Sequence, residues 1–490
     1  MLGLAFLFGA FVRWLPAYLA NFPINDGGMF AVMMRDLSAN HFALPVFTSY
    51  NNAQIPFAYP PLGFYAGALL ESLGVSERSV LLWLPAFFAA LTLPAFYLLS
   101  LEILENRPRA AAATIFFALT PGNYVWHVMG GGLTRALGAI FFALALYFVR
   151  RAFRETNWRA AVFAAVFCAL AVLSHPQIAL LTALECAVFL LFYGRSRRFT
   201  LRALAIAAGT LILTAPWWAT VAARHGFSVF LSAGLSGDLQ TSLTALAKSL
   251  LARKTVLPFS TLFWLLGLGW TFYKRRFDVA LLVGLPYLID QRSAPIAASF
   301  VYPMLAAYGA LDVLPKLFFR SAKKQGVEAD SLLNSRAFAL VLLGIIFYLL
   351  IECAFHAQVI QKLSLPPAAR QMMAWVNRNT PADGKFLILT GRANVMTDST
   401  QEWFPAFAAR HSTTTLQGLE WTLGAKFTLR WLQLDALQRC RAIECVDTLT
   451  RAMNLDFNYV VVNRAAFPTS LFSSSRYETL FDNGVYAVLH

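Results

Sequence analysis

The chain has 490 residues, 58% of them hydrophobic and 14% aromatic, and its mean hydropathy of +0.57 is too high for a soluble protein of this length. The formal net charge of +15 does not mark a nucleic-acid binder, because the basic residues fall in short clusters between apolar stretches, as cytoplasmic loops do. The class that remains is a polytopic α-helical membrane protein.

Eleven apolar runs approach the length needed to cross ~30 Å of hydrocarbon. They lie near 1–20, 79–101, 110–125, 135–150, 159–174, 176–193, 200–218, 257–273, 278–290, 294–314 and 337–358. The clusters Arg107/Arg109, Arg150/Arg151/Arg154/Arg159, Arg195/Arg197/Arg198/Arg202, Lys274/Arg275/Arg276 and Lys316/Arg320/Lys323/Lys324 all fall on one side. The bias of basic loops makes that side the cytoplasm. The N-terminus is then inside, while the loop 21–78 and everything after residue 358 are outside. The expected location is a prokaryotic plasma membrane. The first run has no basic n-region and no small-residue cleavage site before Asn21-Phe22-Pro23, so it reads as a retained span rather than a cleaved signal peptide.

Directly after this span comes Asn25-Asp26-Gly27-Gly28. Two readings of Asp26 stand: it caps a helix starting at the glycines, or it is a general base at the membrane surface. The apolar stretch 57–75 has only Glu77 and Arg78 after it. A true span there would invert every later loop, so it reads as an interfacial helix forming a two-helix platform with 27–40 beside Asp26.

Between the third and fourth spans lies Trp126-His127-Val128-Met129-Gly130-Gly131-Gly132-Leu133-Thr134-Arg135. Three glycines let a backbone approach a ligand closely. His127 and Arg135 then bind a sugar hydroxyl or phosphate, or else the segment is a tight turn with Arg135 as an interfacial anchor. His175, in Ser174-His175-Pro176, marks a helix break that either lines a cavity or is an ordinary kink. Arg13, Glu185 and Glu352 fall within spans, where an ionisable group needs a partner or a role. Asp290-Gln291-Arg292 sits at the outer mouth between two spans. There Arg292 either grips a lipid-borne phosphate or pairs idly with Asp290.

Beyond residue 360 the mixed composition predicts an α/β unit of about 130 residues. A helix opens at Pro366-Pro367, with Ala369, Met372, Met373 and Val376 on one face, and ends at Asn379-Thr380-Pro381. Strands follow at 386–389, 459–462 and 485–489. The division is therefore 1–358 for the membrane part and 359–490 for the exported part. Cys168, Cys186 and Cys353 lie in spans as packing residues. Cys440 and Cys445, in an oxidising compartment, form either a small-loop disulfide or two buried thiols. Glu402-Trp403, Arg410 and Glu420-Trp421 make an aromatic and charged set that suits sugars or builds the unit's own core.

With these pieces together, the chain resembles the GT-C glycosyltransferases, among them the protein O-mannosyltransferases, the aminoarabinose transferases and the oligosaccharyltransferase catalytic subunits. The likeness rests on the first span, the acidic outer loop with Tyr59-Pro60-Pro61-Leu62, the paired short spans and Asp290-Gln291-Arg292. It implies a polyprenyl-phosphate-linked sugar donor, an acceptor that is a glycan, lipid or protein outside the cytoplasm, and Asp26 as the base of an inverting transfer. Tyr59, His127, Arg135, His175, Arg292, Glu402, Arg410 and Glu420 are then the substrate-binding set. Two features depart from the family pattern. Gly27-Gly28 stand where many members carry a second acid, and Gly130-Gly131-Gly132 replace an acid found in oligosaccharyltransferases. No metal ligands are assigned, and a divalent cation stays open. The other classes weighed are a transporter or lipid flippase, for which inverted repeats are missing, and an inactive glycan-binding relative.

Overall fold

The computed structural model describes residues 2–155, 158–236, 259–316, 336–472 and 477–490. Its first part is helical: α1 (Leu2–Leu19), α2 (Gly28–Ala39), α3 (Leu62–Ser72), α4 (Glu77–Leu104), α5 (Arg107–Leu119), α6 (Gly132–Ala152), α7 (Arg159–Ser174), α8 (Pro176–Tyr193), α9 (Arg197–His225), α10 (Ser228–Leu235), α11 (Phe259–Tyr273), α12 (Phe277–Ile289), α13 (Ala294–Tyr308) and α14 (Arg336–Ile360). Each expected apolar run falls on one of these helices. Among the described residues, seven helices are long and apolar enough to cross a membrane by length and composition, α13 among them because a π-helical stretch, Gly309–Val313, carries it on to Lys316. The helices α5, α7, α11 and α12 are shorter, at 13, 16, 15 and 13 residues. The expected run 110–125 stops early because Pro121 holds Thr120 in an extended conformation, at φ −105° and ψ 110°. Residues 257 and 258 of the eighth run, and Arg320, Lys323 and Lys324, lie outside the described residues.

Ion pairs gather the basic loops at one end of the bundle. Arg109 grips Asp312 through two bonds of 2.8 and 2.6 Å, and Arg154 reaches Glu102 at 2.8 Å. Arg276 donates to the Ile103 carbonyl at 3.1 Å, and the Arg150 guanidinium lies 3.6 Å from the Tyr193 ring centre. The end of α4 therefore meets the loops around α5, α6, α8 and α12. Arg13, buried in α1, donates to the Ala118 and Phe117 carbonyls at 2.9 and 3.2 Å and so closes the C-terminus of α5. That partnership explains an arginine at membrane depth.

The opposite end carries the loop of Asp26. There α2 packs against α3 as expected, but it is no exposed platform, since Met29 through Met34 and Leu37 are all buried. Its cover is the C-terminal part of the chain. The 29-residue α9, rising ~1.5 Å per residue, outruns the hydrocarbon and reaches the same layer. Its last turn pins the loop, with Arg224 donating to the Leu44 carbonyl at 2.8 Å and His225 Nε2 lying 2.9 Å from the Val46 carbonyl.

Beyond α14 come α15 (Pro367–Asn379), β3 (Lys385–Leu389), α16 (Ser399–Ala408), β4 (His411–Ser412), α17 (Lys426–Leu437), α18 (Ile443–Ala452), β5 (Tyr459–Asn463), β6 (Thr479–Asp482) and β7 (Tyr486–Leu489), after the two short strands β1 (Phe47–Thr48) and β2 (Ile55–Pro56) of the loop. The larger sheet runs β4-β3-β5-β7-β6. Its β3 is parallel to β4 and β5, while β7 is antiparallel to β5 and β6. Alternation along the strands gives each face its own core. Phe386, Ile388, Val461 and Val488 face α15, α16 and the Asp26 loop, whereas Leu387, Leu389, Val460 and Val462 face α17 and α18. The expected face of α15, Ala369, Met372, Met373 and Val376, is fully buried. Cys440 and Cys445 form a disulfide, with Cα atoms 5.6 Å apart.

One hydrophobic cluster joins Phe22, Met29, Phe30, Tyr50 and Phe57 of the loop to Met372, Phe386, Trp403 and Phe404. The C-terminal unit is thus packed onto the Asp26 loop rather than tethered beside it.

Candidate active site

Asp26 sits on a turn that two left-handed residues bend sharply: Asn25 has φ 60° and Gly27 φ 127°. A side chain at Gly27 would be strained in that conformation. The turn lies against the triple-glycine segment. Gly130 N–H donates to the Ile24 carbonyl at 3.0 Å, and Gly131 N–H donates to Asp26 Oδ1 at 2.8 Å. An added Cβ would come within 1.8 Å of the Asp26 carbonyl oxygen at Gly130, and within 2.3 Å of Asp26 Oδ2 at Gly131. The glycines of the second loop are therefore the seat of the carboxylate, not a ligand cradle in their own right. The Asp26 side chain keeps 22% of its surface open, and Arg135 approaches Oδ2 at 3.8 Å.

Asp26 does not cap α2. The N-cap is Gly27, which offers no side chain. The cap comes from Glu402 of α16, whose Oε1 accepts the Gly27 N–H at 2.8 Å. Burial, and the neighbouring Asp26, push the Glu402 carboxyl up to about 8, against the pull of the Gly27, Gly28 and Met29 amides. Glu402 is 5% exposed, so its expected role as a sugar ligand gives way to a structural one: it is turned inward to the helix terminus.

Around Asp26 stand most of the other expected residues. Tyr59 is central, its hydroxyl 3.4 Å from Thr134 Oγ1 and its ring edge-on to Trp421 and His175, each with centroids 5.9 Å away. Burial pushes the Tyr59 hydroxyl up to about 12, so it stays a phenol able to donate. Arg135 donates to the Trp126 carbonyl at 2.7 Å and stacks over that ring at 5.5 Å. Arg292 is not spent on Asp290. Asp290 accepts the Arg292 backbone N–H at 3.1 Å and also takes the Ser293 hydroxyl, while the guanidinium reaches Ser236 Oγ at 3.3 Å. Arg292 also acts electrostatically on Glu420 and His175. Burial raises the Glu420 carboxyl and Arg292 opposes that rise. Two arginines, two acids and a phenol thus converge between the helix ends and the C-terminal unit.

His127 and His175 are 4% and 3% exposed, and both fill space beside this cluster. Burial, with Arg135 nearby, lowers His127 to about 3, so it is carried neutral in the structure. The unfolded chain takes up that proton below about pH 6.5. The resulting contribution to stability is complete above that pH and is lost as pH falls from there towards 3. In melts between pH 4 and 7, His127→Gln is expected to flatten this part of the acid profile.

Arg410 does not reach the site. It donates to the Asn377, Thr380 and Ala409 carbonyls at 2.8, 2.6 and 3.0 Å and closes the C-terminus of α15. A guanidinium beside a helix end with unpaired carbonyls is a cap. Arg410→Ala is expected to cost about 2–4 kcal/mol of stability, read as a lower melting temperature, with turnover per folded molecule unchanged.

Trp403, expected only as part of a sugar-binding or core set, donates its Nε1–H to the Asn25 carbonyl at 3.0 Å, and Tyr50, which the sequence did not mark, donates its hydroxyl to the Glu402 carbonyl at 2.6 Å. The one available signal was a helix opening on two glycines, which must borrow its cap from elsewhere.

The helical bundle with its C-terminal α/β unit has the fold of the solved structures of ArnT and AftD. Residues 58–219 match the family described as dolichyl-phosphate-mannose-protein mannosyltransferase. The chain is similar to ArnT from Cupriavidus metallidurans bound to undecaprenyl phosphate, with a TM-score of 0.59 and 14% identity over 99% of this chain and 97% of that one. The apo state of the same protein gives 0.57 and 15%, over 99% and 96%. The arabinofuranosyltransferase AftD from Mycobacteria gives 0.57 and 16%, over 100% of this chain and 41% of that one. No curated protein matches the sequence significantly.

Proposed function

We propose that the protein transfers a sugar from a polyprenyl-phosphate carrier to an acceptor hydroxyl on the extracytoplasmic face of the membrane. The observation that carries this reading is the partly open Asp26 carboxylate, seated on the Gly131 amide with Arg135 at 3.8 Å. The undecaprenyl phosphate named with the similar ArnT structure supports the choice of carrier. In this reading residues 1–358 form the membrane part, with the N-terminus in the cytoplasm, and residues 359–490 form the outer unit.

The acceptor oxygen attacks the anomeric carbon and gives its proton to Asp26. The bond from that carbon to the phosphate oxygen breaks from the opposite face, its electron pair leaving with the phosphate, and the configuration inverts. Charge develops on the phosphate, where preorganised guanidinium groups are most effective. Arg292 and Arg135 fill that role, and Tyr59 and Glu420 bond sugar or acceptor hydroxyls.

The test is transfer of labelled sugar from a polyprenyl-phosphate donor in membranes containing the protein. Arg292→Ala is expected to lower kcat/KM for the donor on the order of 30-fold, as loss of a charge-assisted contact does. Transfer that is absent from wild-type membranes for every polyprenyl-phosphate sugar supplied would contradict the reading.

A further inference from the structure

The turn that carries Asp26 is fastened by residues about 375 positions away in sequence. We infer that Glu402 and Trp403 are positioning residues for Asp26, a clasp that makes the C-terminal unit part of the catalytic apparatus. The inference rests on the reading of Asp26 as base and goes beyond it.

The fastening brackets Asp26 on both sides. On one side Trp403 Nε1–H donates to the carbonyl of Asn25, and on the other Glu402 Oε1 accepts the N–H of Gly27, at 3.0 and 2.8 Å. Neither bond touches the Asp26 carboxylate, which stays open. The Trp403 ring lies edge-on to Phe22 at 4.7 Å, so the indole is fixed by packing as well as by its hydrogen bond. The two glycines after Asp26 are the receptor for this clasp. A Cβ on Gly28 would meet the Glu402 carbonyl oxygen at 2.6 Å, and one on Gly27 would meet the Trp403 ring at 3.2 Å.

The loop in turn holds the clasp. Tyr50 donates to the Glu402 carbonyl at 2.6 Å, and Asn51 exchanges side-chain bonds with the Ser412 backbone at 2.9 and 2.6 Å. A turn with two left-handed residues, Asn25 and Gly27, is held in that shape by its surroundings rather than by its own preferences. Without Glu402, the Gly27 amide and the first turn of α2 lose their acceptor. The second acid that the loop sequence lacks is thus present in space, but as a helix cap. Its raised carboxyl is consistent with a role that a neutral amide can fill.

The test uses the full chain in lipid nanodiscs, with Glu402→Gln, Glu402→Ala, Trp403→Phe and Asp26→Asn compared with wild type. Two readouts are taken: amide hydrogen exchange of residues 25–31, and transfer kinetics. Glu402→Gln keeps the acceptor atom and is expected to stay within about threefold of wild type. Glu402→Ala is expected to expose the amides of residues 27–29 and lower kcat on the order of 100-fold, as a misplacement of about 1 Å does, with donor KM within about threefold. Trp403→Phe is expected to fall between them. Unchanged protection of residues 27–29 in Glu402→Ala, or unchanged kcat, would overturn the proposal while leaving Asp26 as base. Equal losses in Glu402→Gln and Glu402→Ala would overturn it too, by showing that charge matters rather than position. Full activity in Asp26→Asn would instead remove the base itself, and the proposal with it.

Discussion

Asp26→Asn is expected to lower sugar transfer on the order of 10³-fold, within the range a general base contributes, with the donor KM changed by no more than about threefold. The substitution is nearly isosteric. The amide oxygen can still accept the Gly131 N–H that holds Oδ1 at 2.8 Å, so the turn keeps its shape and only the proton acceptor is lost. Among the described residues, the two neighbouring acids are already engaged. Glu402 is 5% exposed and committed to the Gly27 amide, and Glu420 accepts the Gly418 N–H at 2.8 Å from its own turn. Turnover of labelled donor in purified protein measures the effect, and a loss confined to KM would argue for a binding role instead.

Gly131→Ala is expected to reduce transfer on the order of 100-fold with little change in stability. Gly131 has φ −64° and ψ −10°, a conformation that alanine adopts freely. Its Cβ would stand 2.3 Å from Asp26 Oδ2 and 2.9 Å from Cγ, so the carboxylate must turn aside. A displacement of about 1 Å at the reacting group is enough for a loss of that size. Gly130→Ala differs, because its Cβ would strike the Asp26 backbone oxygen at 1.8 Å, and backbone cannot swing away. Melting temperature and turnover measured on both variants separate the two cases. Gly131→Ala loses activity at near-native stability, and Gly130→Ala loses both.

Much of this arrangement was legible in the residues, and for identifiable reasons. Long apolar runs mark helices whatever their partners, so each expected run found its helix; the third run overshoots because Pro121 ends its helix early, whereas the seventh falls short because its helix continues past Pro216 to His225. The face Ala369, Met372, Met373 and Val376 was readable because helical spacing reports burial directly. Tyr59, Arg135, Arg292 and Glu420 are marked by residue type at loop positions; Arg135 and Tyr59 stand beside Asp26, and Arg292 acts on Glu420 and His175 next to them. Glu402 and Arg410 were misread because an acid and a base beside aromatics look alike whether they bind a sugar or close a helix end. Only the third dimension sets Glu402 on the α2 terminus and Arg410 on the α15 terminus. The glycines after Asp26 were read as a missing acid, when their meaning is room for another part of the chain.

The measurement that bears most directly on the role of Asp26 and its arginines is a structure of the chain with a polyprenyl phosphate bound. The phosphate is expected within bonding distance of Arg292 or Arg135, at the end of the bundle where Asp26 lies partly open beside Tyr59 and Trp421. A phosphate seated instead among Arg109, Arg154 and Arg276, at the far end of the bundle, would contradict that role.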